Sequence, residues 1–257
     1  MLSYNIFIAN LRREFIYMRR YLPNTISELI MFYIVFLGFF FGITLVGDPS
    51  QLDYNIQMVI LNYVFWFLVL TVTQGLGWEI SNEAGQGTLE QLSMTPYKLW
   101  TIMLARMTCT IIINLISITV LLVAAMLTSS QWLNIDLFSI IPLLLLTLVG
   151  VFGIGYALAG ITIVLKQVDY ILQLFQFVIM AMTFVPLTVF PILKYAPFMF
   201  GLQLIRDIAI KELSIFEIPL TDILFLIINS CLYFFIGITI FKKCEKVAKL
   251  KGLFGHY

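Results

Sequence analysis

Residues able to do chemistry are scarce in this chain of 257 residues. Its one histidine, His256, stands next to last with no ligand partner near it. Cys109, Cys231 and Cys244 are scattered and form no C-x-x-C pair, which argues against a disulfide framework or a zinc site. The first two fall in apolar runs and read as small buried hydrophobes. No G-x-x-x-x-G-K-[S/T] loop occurs, so the chain is not expected to bind a nucleotide phosphate itself. What remains is one polar stretch between two greasy ones, "WEISNEAGQGTLEQLSMTPYKLW", from Trp78 to Trp100. Its carboxylates, Glu79, Glu83 and Glu90, have no histidine or cysteine among them, so neither metal nor proton-transfer chemistry is indicated.

The element that must position these groups is a short helix. Thr88-Leu89-Glu90-Gln91 matches a capping box. Gly85 and Gly87 supply the tight turn before it. Leu89 and Leu92 fall on one face with Met94 near it, and Pro96 marks the expected end. A short, capped, amphipathic helix anchored on both sides can dock into a cleft on a soluble partner and transmit a push.

The rest of the chain is built for lipid. It is 61% hydrophobic and 11% charged, with a mean hydropathy of +1.00, whereas about a quarter of a soluble domain is charged. Six runs free of Asp, Glu, Lys and Arg span 29–47, 54–78, 107–135, 137–165, 170–193 and 223–241. A membrane helix needs about 20 apolar residues, so six spans are expected. The stretch 128–136 forms the turn between the third and fourth. With both termini inside the cell, the inner segments hold Arg12, Arg13, Arg19, Arg20, Lys98, Arg106, Lys166, Lys242, Lys243, Lys246, Lys249 and Lys251. The outer segments then hold only Lys194, Arg206 and Lys211. This asymmetry sets the orientation and puts the polar stretch inside. The net charge of +1 gives no reason to invoke nucleic acid.

Residues 1–22 place Ile6, Ile8, Leu11, Phe15, Met18 and Leu22 near one stripe with arginines around it, the pattern of an interfacial amphipathic helix resting on membrane lipid. Pro23 is a natural bend into the first span. The tail is a basic juxtamembrane anchor. The second span carries Asn55, Gln57, Asn62, Thr71, Thr73, Gln74 and Gly75, and the fifth adds Gln173, Gln176, Thr183 and Thr188. Polar side chains in lipid seek protein or water, so Asn55, Asn62, Thr73, Gln173, Gln176 and Thr183 are candidates to line a path, or else to bond helix to helix. Gly153 with Ala157 and Gly155 with Ala159 predict close helix packing. No charged residue is expected in the middle of a span, which argues against proton relays and ion-coupled transport.

The pattern from Glu83 to Pro96, E-x-x-x-GTLEQL-x-x-TP, resembles the cytoplasmic loop of type-2 ABC-transporter permeases. The N-terminal amphipathic helix, the six spans and the external segment from Pro191 to Glu212, with Pro197 and Arg206, are similar to that family as well. The resemblance implies an all-α integral membrane protein in a single permease domain over 1–257, with a coupling loop at 79–100 and re-entrant helices within 191–219. It implies no ATP hydrolysis here, with ATP and magnesium held by a separate ATP-binding subunit. A second permease subunit, identical or similar, completes the pathway. Glu83, Gly87, Thr88, Leu89, Glu90, Leu92 and Pro96 are the implied coupling residues. The chain departs from the family at Ala84, Gly85 and Gln86, where a further acidic residue and basic residues are usual. Readings of other kinds stay open: a permease for lipid-linked glycan, a membrane enzyme, or a scaffold or immunity protein that transports nothing.

Overall fold

The structure, a computed structural model, describes residues 2–47, 49–165, 168–187 and 189–252, with side chains from residue 7 onward except at 169. The expectations for Lys166, Thr188, His256 and the side chain of Ile6 lie outside the described residues. Helices follow one another as α1 (Leu2–Arg20), α2 (Leu22–Val46), α3 (Leu52–Gly85), α4 (Leu89–Ser93), α5 (Leu99–Ser129), α6 (Leu137–Leu165), α7 (Asp169–Phe184), α8 (Met199–Lys211) and α9 (Leu220–Leu250). No strand occurs among the described residues. Helix α2, α3 (with the 3-10 turn before it), α5, α6 and α9 are each long and apolar enough to cross a membrane. A helix satisfies all its backbone groups internally, which is what a lipid surrounding demands.

Helix α7 departs from the expected fifth span. It has 16 residues, about 24 Å at 1.5 Å per residue, and stops at Phe184 rather than continuing to 193. Pro186 explains the stop, because the residue before a proline is pushed out of the α region. Val185 accordingly adopts φ −84°, ψ 125°. The chain then turns through a 3-10 segment, Pro191–Tyr195, into α8.

Helix α3 is the centre of the bundle. It touches α2, α5, α6, α7 and α8, and buries Ile60, Tyr63, Val69, Val72 and Leu76. With 34 residues it is about 51 Å long, well beyond a hydrocarbon core of about 30 Å. Its final turns therefore carry Glu79 and Glu83 past the apolar run. The first half of the polar stretch is thus the end of a spanning helix, and Gly85 belongs to that helix. Only Gly87, at φ +71°, makes the turn, in a conformation open to glycine but strained for other residues.

Polar groups gather at the two ends of the bundle. At one end Gln131 Nε2 donates to Asp53 Oδ1 (2.7 Å), and Asp136 Oδ1 accepts from the Phe138 backbone N–H (3.1 Å) at the start of α6. Arg13, Glu79, Glu83 and Arg106 lie together at the other. Helix α1 leans on α5 and α2. Its partly buried face holds Phe7, Leu11, Glu14 and Met18, while Ile8, Phe15 and Ile16 stay exposed. The single stripe read from the sequence is therefore split: Leu11 and Met18 face protein, and Ile8 and Phe15 face outward. Tyr21 separates α1 from α2, and Pro23 sits in the first turn of α2, where a missing N–H costs nothing.

The closest helix pair is α6 with α9. A methyl group on Gly153 would collide with the Tyr233 carbonyl, and one on Gly237 with the Gly153 carbonyl. The small residues of α6 thus serve contact within the chain, as their spacing predicts. Gly153→Ala is expected to cost about 1–3 kcal/mol through overpacking and to lower the thermal unfolding midpoint in detergent. Gly38→Ala, whose added methyl meets nothing within 4 Å, should leave that midpoint unchanged.

Candidate functional site

Glu79 and Glu83 are four residues apart, so they share one face of α3. That face meets α5, where Arg106 lies in the second turn. Arg106 Nη1 bonds Glu79 Oε1 at 2.7 Å and Glu83 Oε1 at 2.5 Å. Arg13 of α1 adds a second contact to Glu79 at 3.0 Å. The side chains of Arg106 and Glu83 are 14% and 12% exposed, so these pairs are shielded more than an ordinary surface bridge. Three helices are joined at this corner by two arginines and two glutamates. Burial works against charge on Arg13, but the Glu79 carboxylate outweighs it and holds the guanidinium above its ordinary pKa. Burial pushes the neighbouring Glu14 carboxyl upward, against the pull of Arg13.

The turn into α4 is tied to the same corner. Thr88 Oγ1 donates to the Glu83 carboxylate and to the Glu83 carbonyl (3.1 Å). The Thr88 backbone N–H donates to that carbonyl as well (2.9 Å). This overturns the expected capping box: the Thr88 side chain makes no cap bond to α4. The charge-assisted bond to the carboxylate holds the hydroxyl in a rotamer turned back toward α3 and away from the N–H groups of α4. Helix α4 also ends at Ser93, before Pro96.

Helix α4 is held from beneath. Leu89 is fully buried in the core and Leu92 packs against it. Both leucines therefore face the protein's own bundle, not a partner. Downstream, Leu99 is buried, the Trp100 carbonyl accepts from Tyr156 Oη (2.7 Å), and Lys242 Nζ sits 5.1 Å over the Trp100 ring. What the segment presents outward is Gly87, Glu90, Gln91, Met94 and Pro96, with Met94 74% exposed. Of the two carboxylates expected to meet a partner, Glu90 is free to do so. Glu83 is occupied internally.

The six path candidates fall in different places. Asn55 is partly buried near the start of α3, and Gln173 is exposed on α7. Thr73 is buried and bonds back to the Val69 carbonyl (2.8 Å). Gln176, with Thr71, Gln74 and Gly75, lines an open cleft among α2, α3, α5 and α7. Asn62 and Thr183 are joined through Arg206 of α8, which is 2% exposed. Arg206 Nε donates to Asn62 Oδ1 (2.8 Å), Nη2 to the Thr183 carbonyl (2.7 Å), and Nη1 to Gln203 Oε1 (3.4 Å).

Asn62 lies about 15 Å along α3 from its start and about 25 Å from Glu79. Arg206 is thus buried against α3 within its charge-free run, although it belongs to α8 and to none of the spans. The sequence hid it because the charge comes from α8, outside every apolar run. Its role is legible in the contacts. Thr183 is among the last four residues of α7, whose carbonyls lack helical partners, and a cation at a helix C-terminus is favoured by the helix dipole.

Arg106 was equally missed as a site residue, counted only for its charge. The signal was the Glu79–Glu83 spacing, which calls for a cation from a neighbouring helix. No known protein family matches the chain, and no curated protein is detectably similar to it.

Arg106→Gln should destabilise the corner by about 2–3 kcal/mol, the scale of hydrogen bonds to charged groups. It should also speed proteolysis between residues 86 and 98, measured as cleavage rate in detergent. Arg206→Lys keeps the charge but loses the fork. It should lower the thermal midpoint by the equivalent of about 1–3 kcal/mol.

Proposed function

We propose that this chain is the membrane-spanning permease subunit of an ATP-driven exporter of the ABC type, worked by a separate ATP-binding subunit. The observation that carries the reading is the seating of α4. Its inner side is fixed on the bundle through Leu89, its start is tied to α3 through Thr88, and the first turn of α5 that follows is held at Trp100 by Tyr156. Its outer side offers Glu90, Gln91 and Met94. A force applied there passes into α3 and α5 with little slack, which a coupling element between an ATPase and a membrane bundle requires. The E-x-x-x-GTLEQL-x-x-TP pattern falls on this element. The chain's lack of a phosphate-binding loop assigns nucleotide chemistry to the partner.

In this reading α7, broken at Pro186, is the sixth membrane element, and α8 is the re-entrant helix that caps it. Both termini and α4 face the cytoplasm across the plasma membrane, following the excess of Lys and Arg on that side. A second permease subunit completes the path, and the cargo is hydrophobic or amphipathic. The coupling surface consists of Glu90, Gln91, Met94 and Pro96. Glu83, Thr88, Leu89 and Leu92 brace it from within, and Gly87 shapes the turn.

The test is purification of the tagged chain from its native membrane in mild detergent, with ATPase assay and identification of co-purifying chains. A stoichiometric ATP-binding subunit is expected. Glu90→Lys and Met94→Glu, both at exposed positions, should each weaken its retention about tenfold or more, as truncation of central interface residues does, while leaving membrane insertion unchanged. A single inactive chain after crosslinking, or full ATP-driven transport by Glu90→Lys, would overturn the assignment.

A further inference from the structure

The open cleft among α2, α3, α5 and α7 has a volume of about 600 Å³, within the range of small-molecule sites. Its lining includes one charged residue, Glu28, and no lysine or arginine. Glu28 lies in the second turn of α2, about 9 Å from the start of that helix. It forms no ion pair among the described residues. The four arginine and glutamate side chains of the nearby corner are engaged with one another, so none neutralises it.

Glu28 is exposed on the cleft lining and has no cationic partner among the described residues, so its carboxylate is open to a cationic group brought into the cleft. The rest of the cleft agrees. Trp78 lines its corner end, where an aromatic face attracts a cation. Asn114 and Gln176 bring amide oxygens from α5 and α7. Met31, Phe32, Phe67 and Leu70 supply an apolar strip of wall beside the polar Asn24, Ser27, Thr71, Gln74 and Thr110. The lining runs from Trp78 to Phe67, about 16 Å along α3. That length suits a molecule with a charged head and a hydrophobic body.

We infer that this cleft binds an amphipathic organic cation, its ammonium group held by Glu28 and Trp78 and its apolar body laid along Phe32, Phe67 and Leu70. The inference names the cargo class for the export reading and rests on that reading only for the transport step after binding. The site is open in the isolated chain, so the cation can be bound without ATP or a partner. The same chemistry is offered by a soluble amphiphile and by a phosphatidylethanolamine headgroup.

The experiment is equilibrium binding of rhodamine 6G to the full chain in phosphatidylglycerol nanodiscs, with empty discs subtracted and the neutral dye Nile red run in parallel. Glu28→Gln should weaken rhodamine binding about tenfold, equivalent to about 1.4 kcal/mol, and leave Nile red unaffected. Glu28→Lys should abolish rhodamine binding. Thermal midpoints of both variants serve as the folding control, and Glu28 is exposed, so they should match the parent. Adding phosphatidylethanolamine to the discs separates the two sources: competition assigns the site to a lipid headgroup, and its absence to a soluble amphiphile. Unchanged rhodamine binding in Glu28→Gln, or equal loss of both dyes, would overturn the inference. Because no ATPase is present, failure here leaves the export reading standing, and a missing ATP-binding subunit leaves this result standing.

Discussion

A helix in lipid can leave no backbone group unsatisfied and carries a buried charge only at a cost, and α3 is where this chain meets that constraint. It is the helix against which α2, α5, α6, α7 and α8 are placed. Both of its internal arginine contacts solve the same problem at different depths. Near its end, Glu79 and Glu83 receive Arg106 from α5 and Arg13 from α1. In its middle, Asn62 receives Arg206 from α8. Each contact fixes a neighbouring helix in rotation and register, which apolar packing in lipid does weakly because lipid tails compete for the same surfaces.

The two arginines are not equivalent energetically. Arg106 faces carboxylates at the edge of the bundle, where water still reaches and a charge-assisted bond is a net gain. Among the described residues Arg206 has no carboxylate in ion-pair contact and leans on neutral acceptors, Asn62, Gln203 and the Thr183 carbonyl. Burying a guanidinium that way is expensive. Part of the compensation is the C-terminus of α7, where the Thr183 carbonyl accepts from Arg206 and the helix dipole favours a cation.

Rigidity and openness divide along the bundle. The α6–α9 pair is locked by backbone contact at Gly153 and Gly237. The corner at Arg106 is locked by ion pairs. The seam between α3 and α7 is looser, crossed by Gln74 Nε2 to the Leu172 carbonyl (2.9 Å) and to Gln176 (3.5 Å), and the cleft opens beside it. A bundle built this way sets a stiff corner beside an open cleft.

The sequence alone determined the all-helical class, because long charge-free runs leave lipid-crossing chains no other local structure. It located the boundaries of α6 and the polar stretch, and Gly153 announced close packing. The end of α7 at Phe184 was not read from the sequence, where the apolar run continues past Pro186 to 193. What only the tertiary structure decided was which side of each element faces inward. The capping-box pattern at Thr88–Gln91 is local and does not form, because the Thr88 hydroxyl turns back to Glu83 instead of capping α4. Leu89 and Leu92 mark an apolar face without saying whether the protein itself or a partner covers it. Arg206 could not be placed by any reading of spans, since its charge belongs to a segment between them. Hydropathy and local pattern are properties of neighbours in sequence, whereas pairing a charge is settled among groups brought together from helices far apart in the chain.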